Sequence, residues 1–86
     1  MKSYKVVLSK TAEKNLTKLP SQIVSKIIPV LQSLQDNPRP VGCKKLKGFV
    51  DLWRVRVGNY RIVYAIEDVI LLVDIREIGH RKDIYK

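Results

Sequence analysis

The dipeptide Gly58-Asn59 constrains the fold more than any other feature of the sequence, because it separates two runs in which apolar and polar residues alternate. A two-residue turn of this composition between alternating runs is a strong signal for a β-hairpin. The hairpin places Arg56 directly opposite Arg61 on two antiparallel strands. One local dipeptide therefore predicts both a sheet and its register.

A second two-residue turn is predicted at Glu67-Asp68, where the next apolar run begins. With that turn, Arg61 pairs with Asp74 on a third antiparallel strand. A short additional strand is expected at residues 45–47, in the loop that precedes the hairpin. The second half of the chain therefore predicts strands only.

The N-terminal half has the pattern of a strand followed by two helices. The β-branched run at residues 4–8 predicts the strand, and Ser9 can cap the helix that follows. Pro20 ends that helix, and Ser21 begins another in which Pro29 is expected to cause a kink. The apolar residues recur at helical spacing: Leu8, Ala12, Leu16 and Leu19 from the end of the strand along the first helix, and Ile23, Val24, Ile27, Ile28, Leu31 and Leu34 in the second.

These elements predict an α+β fold in the order β-α-α-β-β-β-β. The helices are joined by almost no linker, so they should form an αα-hairpin that packs on one face of an antiparallel sheet. A chain of 86 residues has no length for a second domain, so residues 1–86 are expected to form one.

The charge of the chain is strongly unbalanced, since 17 Lys and Arg stand against 8 Asp and Glu, a formal net charge of +9. The expected partner is a polyanion such as RNA, DNA or an acidic protein. The single cysteine, Cys43, excludes an internal disulfide framework and is expected to be a small buried apolar residue. No apolar run approaches the ~20 residues that span a membrane, so no membrane contact is expected. A single cysteine fits a reducing cytosol, so a cytoplasmic location is expected.

The predicted register separates an apolar face of the sheet from a basic one, because side chains alternate along a strand. The apolar face, which should carry the helices, comprises Trp53, Val55, Val57, Tyr60, Ile62, Tyr64, Ile66, Val69, Leu71, Val73 and Ile75. The other face comprises Arg54, Arg56, Arg61, Val63, Ala65, Ile70, Leu72, Asp74 and Arg76. Like charges placed opposite each other destabilise a sheet, so a functional site is expected there. The alternative is a solvated face whose arginines extend into water.

Three arginines on a rigid strand pair suit phosphate, because guanidinium stays charged and binds two oxygens at once. Three lysines extend the strip: Lys44, Lys45 and Lys47. No acidic cluster for Mg²⁺ accompanies it, so neither a metal nor a cofactor is expected. Metal-free RNA cleavage fits this composition, since the RNA 2′-hydroxyl attacks its own phosphate while arginines stabilise the developing charge.

The C-terminal stretch supplies further candidates. His80 has the pKa class of a proton-transfer residue, with an ordinary surface histidine as the alternative. Tyr85 could stack on an unpaired base or simply anchor the tail by packing. Basic residues interleaved with an aromatic side chain are more typical of single-stranded RNA contact than of duplex recognition.

Four segments together resemble the RelE/ParE superfamily, the toxins of prokaryotic type II toxin–antitoxin systems. They are Leu46-Lys47-Gly48, Trp53-Arg54-Val55-Arg56-Val57, Tyr60-Arg61-Ile62-Val63-Tyr64 and Gly79-His80-Arg81-Lys82-Asp83-Ile84-Tyr85. The resemblance covers essentially the whole chain. It implies an endoribonuclease that cuts mRNA in the ribosomal A site without metal, and a cognate acidic antitoxin that neutralises it. It also implies contact with operator DNA only through the antitoxin complex.

The resemblance implies roles for individual residues. The basic site residues of the family match Arg54, Arg56, Arg61 and Arg81, and Tyr85 would stack on the cleaved nucleotide. With His80, which its own chemistry singles out, the candidate catalytic residues are Arg56, Arg61, Arg81, His80 and Tyr85. The candidate RNA-binding residues are Arg54 and the lysines of the basic strip and tail: Lys44, Lys45, Lys47 and Lys82. RelE itself prefers lysines where this chain has Arg54 and Arg56. Arginine hardly acts as a base, so the identity of the general base stays open. His80 becomes a stronger candidate for proton transfer.

Two other functions stay open at this point. A ParE-like toxin would inhibit DNA gyrase by binding it, with no RNA chemistry, on the same fold. A non-catalytic nucleic-acid-binding module would need little beyond the charge of +9.

Overall fold

Seven elements follow one another in the computed structural model, which describes residues 3–46 and 51–80. Five are strands and two are helices, and their order agrees with the predicted α+β fold. They are β1 (Lys5–Leu8), α1 (Lys10–Lys18), α2 (Ser21–Ser33), β2 (Lys44–Lys45), β3 (Leu52–Val57), β4 (Tyr60–Glu67) and β5 (Leu72–His80).

The start of α1 is fixed by Ser9, as the sequence predicts. Its hydroxyl oxygen accepts a hydrogen bond from the N–H of Ala12 at 3.1 Å, and its O–H donates to the carbonyl of Arg76 at 2.9 Å. The first bond satisfies one of the free N–H groups that every helix start leaves, which is worth about 1 kcal/mol. The second attaches the helix to β5.

The second helix continues from Ser21 to Ser33 through Pro29, so the proline does not end it. Its apolar stripe is narrower than predicted. Ile27 and Leu31 are buried, but Ile28 is 37% exposed and lies at the margin of the stripe. Successive residues on a helix are separated by about 100°, so Ile27 and Ile28 cannot both face the core centrally.

The sheet has the order β1-β5-β4-β3-β2. The pairs β5-β4, β4-β3 and β3-β2 are antiparallel, as predicted, whereas β1 pairs with β5 in parallel. A parallel pair requires a long connection, and here the chain between β1 and β5 comprises both helices and the three strands β2, β3 and β4.

The register of the first hairpin is confirmed. Its two-residue turn pairs Val57 with Tyr60, and Arg56 lies opposite Arg61. Gly58 adopts a φ of 61°, which is unfavourable for most other residues and explains the need for glycine.

The sequence prediction of the second turn is wrong. It spans residues 68–71, so Glu67 pairs with Leu72 and Asp74 lies opposite Ala65 instead of Arg61. Three apolar residues assigned to strands belong to this turn: Val69, Ile70 and Leu71. β-Branched side chains normally indicate a strand, which is why the pattern concealed the loop.

A β-bulge in β5 also escapes the sequence pattern. Val63 pairs with Glu77, but the next residue, Tyr64, pairs with Ile75, so Arg76 is an extra residue. The bulge changes the alternation of β5 and keeps Ile78 on the apolar face, opposite Ile62.

The core lies between the helices and the apolar face of the sheet. Its members are Ala12, Ile27, Leu31, Leu34, Val55, Ile62, Tyr64, Ile66, Val73, Ile75 and Ile78. Trp53 and Val57 are partly buried against it, as predicted, and so is Cys43. Each fully buried aliphatic side chain contributes about 1.5–3 kcal/mol, so this cluster fixes the sheet on which the basic side chains stand.

The loop between α2 and β2 is attached to the sheet by polar contacts. Arg39 binds both carboxylate oxygens of Asp68 at 2.9 and 3.2 Å, and its guanidinium lies 5.0 Å from the ring centre of Trp53. The hydroxyl of buried Tyr64 donates to the carbonyl of Pro38 at 2.7 Å. These contacts hold the loop that leads into β2 and so help to position Lys44.

Candidate functional site

Lys44 of β2 and the arginines of β3 and β4 come together on the sheet face that is turned away from the helices. Lys44 pairs with Arg54, and Arg56 pairs with Arg61. Directly paired residues share one face of a sheet, and their Cβ atoms lie about 4.5–5.5 Å apart. We call this surface, formed by Lys44, Arg54, Arg56 and Arg61, the arginine face.

The four cations differ in how firmly they are held. Arg54 and Arg61 are half-buried, and the Nε atom of Arg61 is buried, whereas Arg56 and Lys44 are exposed. Val63, which pairs with Arg54 and continues the row of Lys44 and Arg54 onto β4, is only 6% exposed. The arginine face is therefore a partly enclosed surface with two exposed cations at its margin.

Such an arrangement is costly for folding alone, because like charges in adjacent positions repel each other. Asp74, which the sequence predicted beside Arg61, instead pairs with Ala65 and accepts a hydrogen bond from Arg76 at 3.3 Å. A phosphodiester placed on the face would be attracted to several guanidinium groups that keep their charge at any physiological pH.

A carboxylate that the sequence reasoning missed belongs to the same side of the sheet. Glu77 lies opposite Val63, whose other partner is Arg54. Strict alternation along β5 would have put Glu77 on the apolar side, and the bulge at Arg76 reverses this. The signal that could have revealed it is the apolar Ile78, which must face the core.

Several predicted site residues are not on the described part of the arginine face. Lys45 pairs with Trp53 and therefore belongs to the opposite side of β2. Lys47, Arg81, Lys82 and Tyr85 lie outside the described residues, so their predicted roles stay predictions.

His80 lies on the helix side of the sheet. It pairs with Tyr60, and the two rings meet edge to face with their centres 5.5 Å apart. Tyr60 has the opposite orientation to its neighbour Arg61 on β4. The register therefore does not bring His80 to the arginine face, and its catalytic role stays a prediction.

A groove of about 250 Å³ separates the second half of α1 from the end of β5. His80, Tyr60, Asn15 and Lys18 line it, and the side-chain oxygen of Asn15 accepts the N–H of Ile78 at 3.0 Å. In this region α1 covers the edge of β5 that β1 is too short to reach.

Residues 3–46 and 51–80 contain neither a group of metal-binding side chains nor a membrane-spanning helix. Nowhere in these ranges do three or more His, Cys, Asp or Glu side chains form a group that could hold a metal ion. Neither α1 nor α2 has the length and apolar character needed to cross a membrane.

Comparison with known proteins identifies the family. The family model described as "ParE toxin of type II toxin-antitoxin system, parDE" matches residues 6–85. The chain belongs to the RelE/ParE superfamily of toxins. It is therefore the toxin component of a toxin–antitoxin system, as the resemblance of its strands and tail implied.

Relatives of this toxin carry RelE names. Toxin RelE3 of Methanocaldococcus jannaschii is 36% identical over 86 residues, which cover 94% of each chain. The toxin–antitoxin complex RelBE2 of Mycobacterium tuberculosis contains a chain with a TM-score of 0.81 and 30% identity, covering 92% of this toxin and 99% of that chain. The archaeal RelE–RelB complex of Pyrococcus horikoshii OT3 contains a chain with a TM-score of 0.81 and 27% identity, covering 92% of this toxin and 96% of that chain.

Proposed function

We propose that this toxin is an endoribonuclease that cleaves mRNA on the ribosome, in the cytoplasm, without a metal ion. The observation that supports the proposal best is the position of Arg56 directly opposite Arg61, next to the Arg54–Lys44 row. Two guanidinium groups this close on a rigid sheet match the charge that accumulates on a phosphate under attack. The RelE names of its relatives favour the same activity.

The chemistry needs only the RNA and the protein. The 2′-oxygen of one nucleotide attacks the adjacent phosphorus, and the bond to the leaving 5′-oxygen breaks. Negative charge on the phosphate oxygens increases in the transition state, and preorganised donors there stabilise it more than the ground state. In this proposal Arg56 and Arg61 supply those donors, while Arg54 and Lys44 hold a neighbouring phosphate. The proposal gives Arg81 and Tyr85 the catalytic roles that the family resemblance implies.

The proposed partner besides the message is an acidic antitoxin, and any contact with operator DNA would pass through that complex. The structures of RelBE2 and of the Pyrococcus complex contain a RelB antitoxin bound to a toxin of this fold. An acidic segment that covers the arginine face would neutralise its charge and block access of RNA.

The test is primer extension on a message held by purified ribosomes with a defined codon in the A site. We expect new 3′ ends within that codon when the toxin is added. A message with a single 2′-deoxynucleotide at the scissile position should stay intact, because it lacks the attacking oxygen. Cleavage of the deoxy message would contradict the proposed chemistry.

A second candidate, inhibition of DNA gyrase, is favoured by the description of the matching family model as ParE toxin. A supercoiling assay with purified gyrase separates the two. Intact message together with blocked supercoiling would overturn the ribonuclease proposal. Binding of RNA with neither effect would instead indicate a non-catalytic module.

A further inference from the structure

The proposed cleavage needs a group that removes the proton from the 2′-hydroxyl, and the arginine face has no evident one. Guanidinium groups stay protonated at physiological pH, so Arg54, Arg56 and Arg61 are poor acceptors of this proton. A carboxylate within reach of the arginine pair would solve the problem, since carboxylates are among the common general bases.

Among residues 3–46 and 51–80, three carboxylates share the arginine side of the sheet: Glu67, Asp74 and Glu77. Glu67 pairs with Leu72 at the far end of β4, four residues beyond Val63, or about 13 Å along the strand. Asp74 already accepts a hydrogen bond from Arg76. Neither is placed to serve the arginine pair.

Glu77 has the position that the other two lack. It lies opposite Val63, two residues along β4 from Arg61, so the two are diagonal neighbours on one face. Diagonal neighbours have Cα atoms about 7–8 Å apart, within reach of long side chains. Within residues 3–46 and 51–80, the side chain of Glu77 makes neither a hydrogen bond nor an ion pair. The residue is half-buried.

Several charged or titratable groups surround Glu77. Its own strand contributes the Asp74–Arg76 ion pair and, on the helix side, His80, and α1 contributes Lys18 across the groove that Glu77 also borders. From β4 and β3 it faces two further cations, Arg61 and Arg54.

We propose that Glu77 is the general base of the cleavage, an inference that rests on the proposed function. Its carboxylate takes the proton of the 2′-hydroxyl while the 2′-oxygen bonds to phosphorus. The bond from phosphorus to the 5′-oxygen breaks, and that oxygen takes a proton from water. The products are a 2′,3′-cyclic phosphate and a 5′-hydroxyl, and Glu77 later returns its proton to solvent.

The first test is the single-turnover cleavage rate of Glu77→Gln on ribosome-bound message. The variant keeps the shape of the side chain and removes its basicity, so we expect a loss of about 10²- to 10⁴-fold, the range for a general base. Glu67→Gln is the matched control, because it removes the same charge from the same face at a distance. It should cleave at the wild-type rate.

The pH profile distinguishes a base from a merely structural residue. The wild-type rate should rise with pH on the acidic side as a carboxylate ionises, and this limb should be missing from Glu77→Gln. Glu77→Asp keeps a carboxylate and should retain the limb at a lower rate, which covers the case in which the glutamine variant folds poorly. Wild-type rate and an unchanged profile in Glu77→Gln would overturn the inference while leaving the ribonuclease function intact. A wild-type protein that cuts no RNA would overturn the proposed function instead.

Discussion

Arg56 and Arg61 illustrate how two residues of one type can occupy different environments on one face. Arg61 is half-buried with its Nε atom shielded from solvent, whereas Arg56 is exposed. A partly buried guanidinium loses less freedom when it binds, and its charge acts through a less polar medium. Arg61 should therefore contribute more to the transition state than Arg56.

The placement of His80 gives a prediction at the same scale. Because it pairs with Tyr60 on the helix side, we expect His80→Gln to cleave RNA at the wild-type rate with the wild-type pH profile. Single-turnover rates between pH 5 and 8, where histidine titrates, provide the measurement. A lost limb in that range would mean that His80 transfers a proton after all.

The buried hydroxyl of Tyr64 gives a prediction about stability. Tyr64→Phe removes the donor to the carbonyl of buried Pro38. A buried group left without its partner costs about 1–3 kcal/mol, so the free energy of unfolding should fall by that amount in urea titrations. Tyr60→Phe is the control, since the Tyr60 hydroxyl makes no side-chain hydrogen bond in the part of the chain that the structure describes. An equal loss in both variants would contradict the assignment.

Among the elements, the hairpin β3–β4 could be predicted from sequence and β5 could not. The turn at Gly58-Asn59 has a chemical signature that fixes its length, and so the pairing of Arg56 with Arg61 followed from the sequence. The turn at residues 68–71 contains Val69 and Ile70, which look like strand residues. Because the length of this turn was predicted wrongly, the pairing of β5 with β4 was predicted wrongly as well.

The candidate site shows the same division. Arg54, Arg56 and Arg61 could be grouped because they flank one recognisable turn. Glu77 could not be added, since its orientation depends on the bulge at Arg76, a three-dimensional feature of the pairing with β4. Lys45 was misplaced for a simpler reason, because a strand of only two residues gives no alternation to interpret.

The contact between the N-terminal strand and the second turn predicts a pH dependence. The Tyr4 hydroxyl donates to Asp68 at 2.7 Å, and this bond raises the pKa of Tyr4. Because the folded state raises this pKa, the hydrogen bond of Tyr4 stabilises the fold at pH values below about 10, the ordinary tyrosine pKa. Its contribution to the free energy of unfolding is lost as the pH rises through the pKa of the folded state. Urea titrations should therefore show wild type more stable than Tyr4→Phe at pH 8, with the difference shrinking between pH 10 and 11. A difference that grows with pH would contradict the assignment.

For the molecule as a whole, the positive charge is not spread evenly. Residues 44–61 contain six lysines and arginines and one acidic residue, a net +5 of the total of +9. The lysines of α1 and α2 are solvated on the helix side. The field of the protein is therefore directional, and it should guide RNA or an acidic antitoxin to the arginine face.

This directionality predicts the salt dependence of RNA binding. Each phosphate contact adds about 0.7 to the slope of log affinity against log salt for a single strand. We expect Arg54→Ala combined with Arg56→Ala to lower the slope by about 1.4 for a single-stranded RNA oligonucleotide, measured by fluorescence anisotropy between 50 and 300 mM salt. The double variant Lys14→Ala with Lys26→Ala removes equal charge from the helices and should leave the slope nearly unchanged. Equal effects from both would indicate a diffuse field.

The most direct measurement of the central claim, that the arginine face cleaves RNA, is the single-turnover rate of Arg61→Ala on ribosome-bound message. Removing one donor from developing charge costs about 10²- to 10³-fold. We therefore predict a loss of that size for Arg61→Ala and none for Lys26→Ala, an exposed helical residue whose substitution changes the net charge equally. Cleavage by Arg61→Ala at the wild-type rate would show that the arginine face is not the active site.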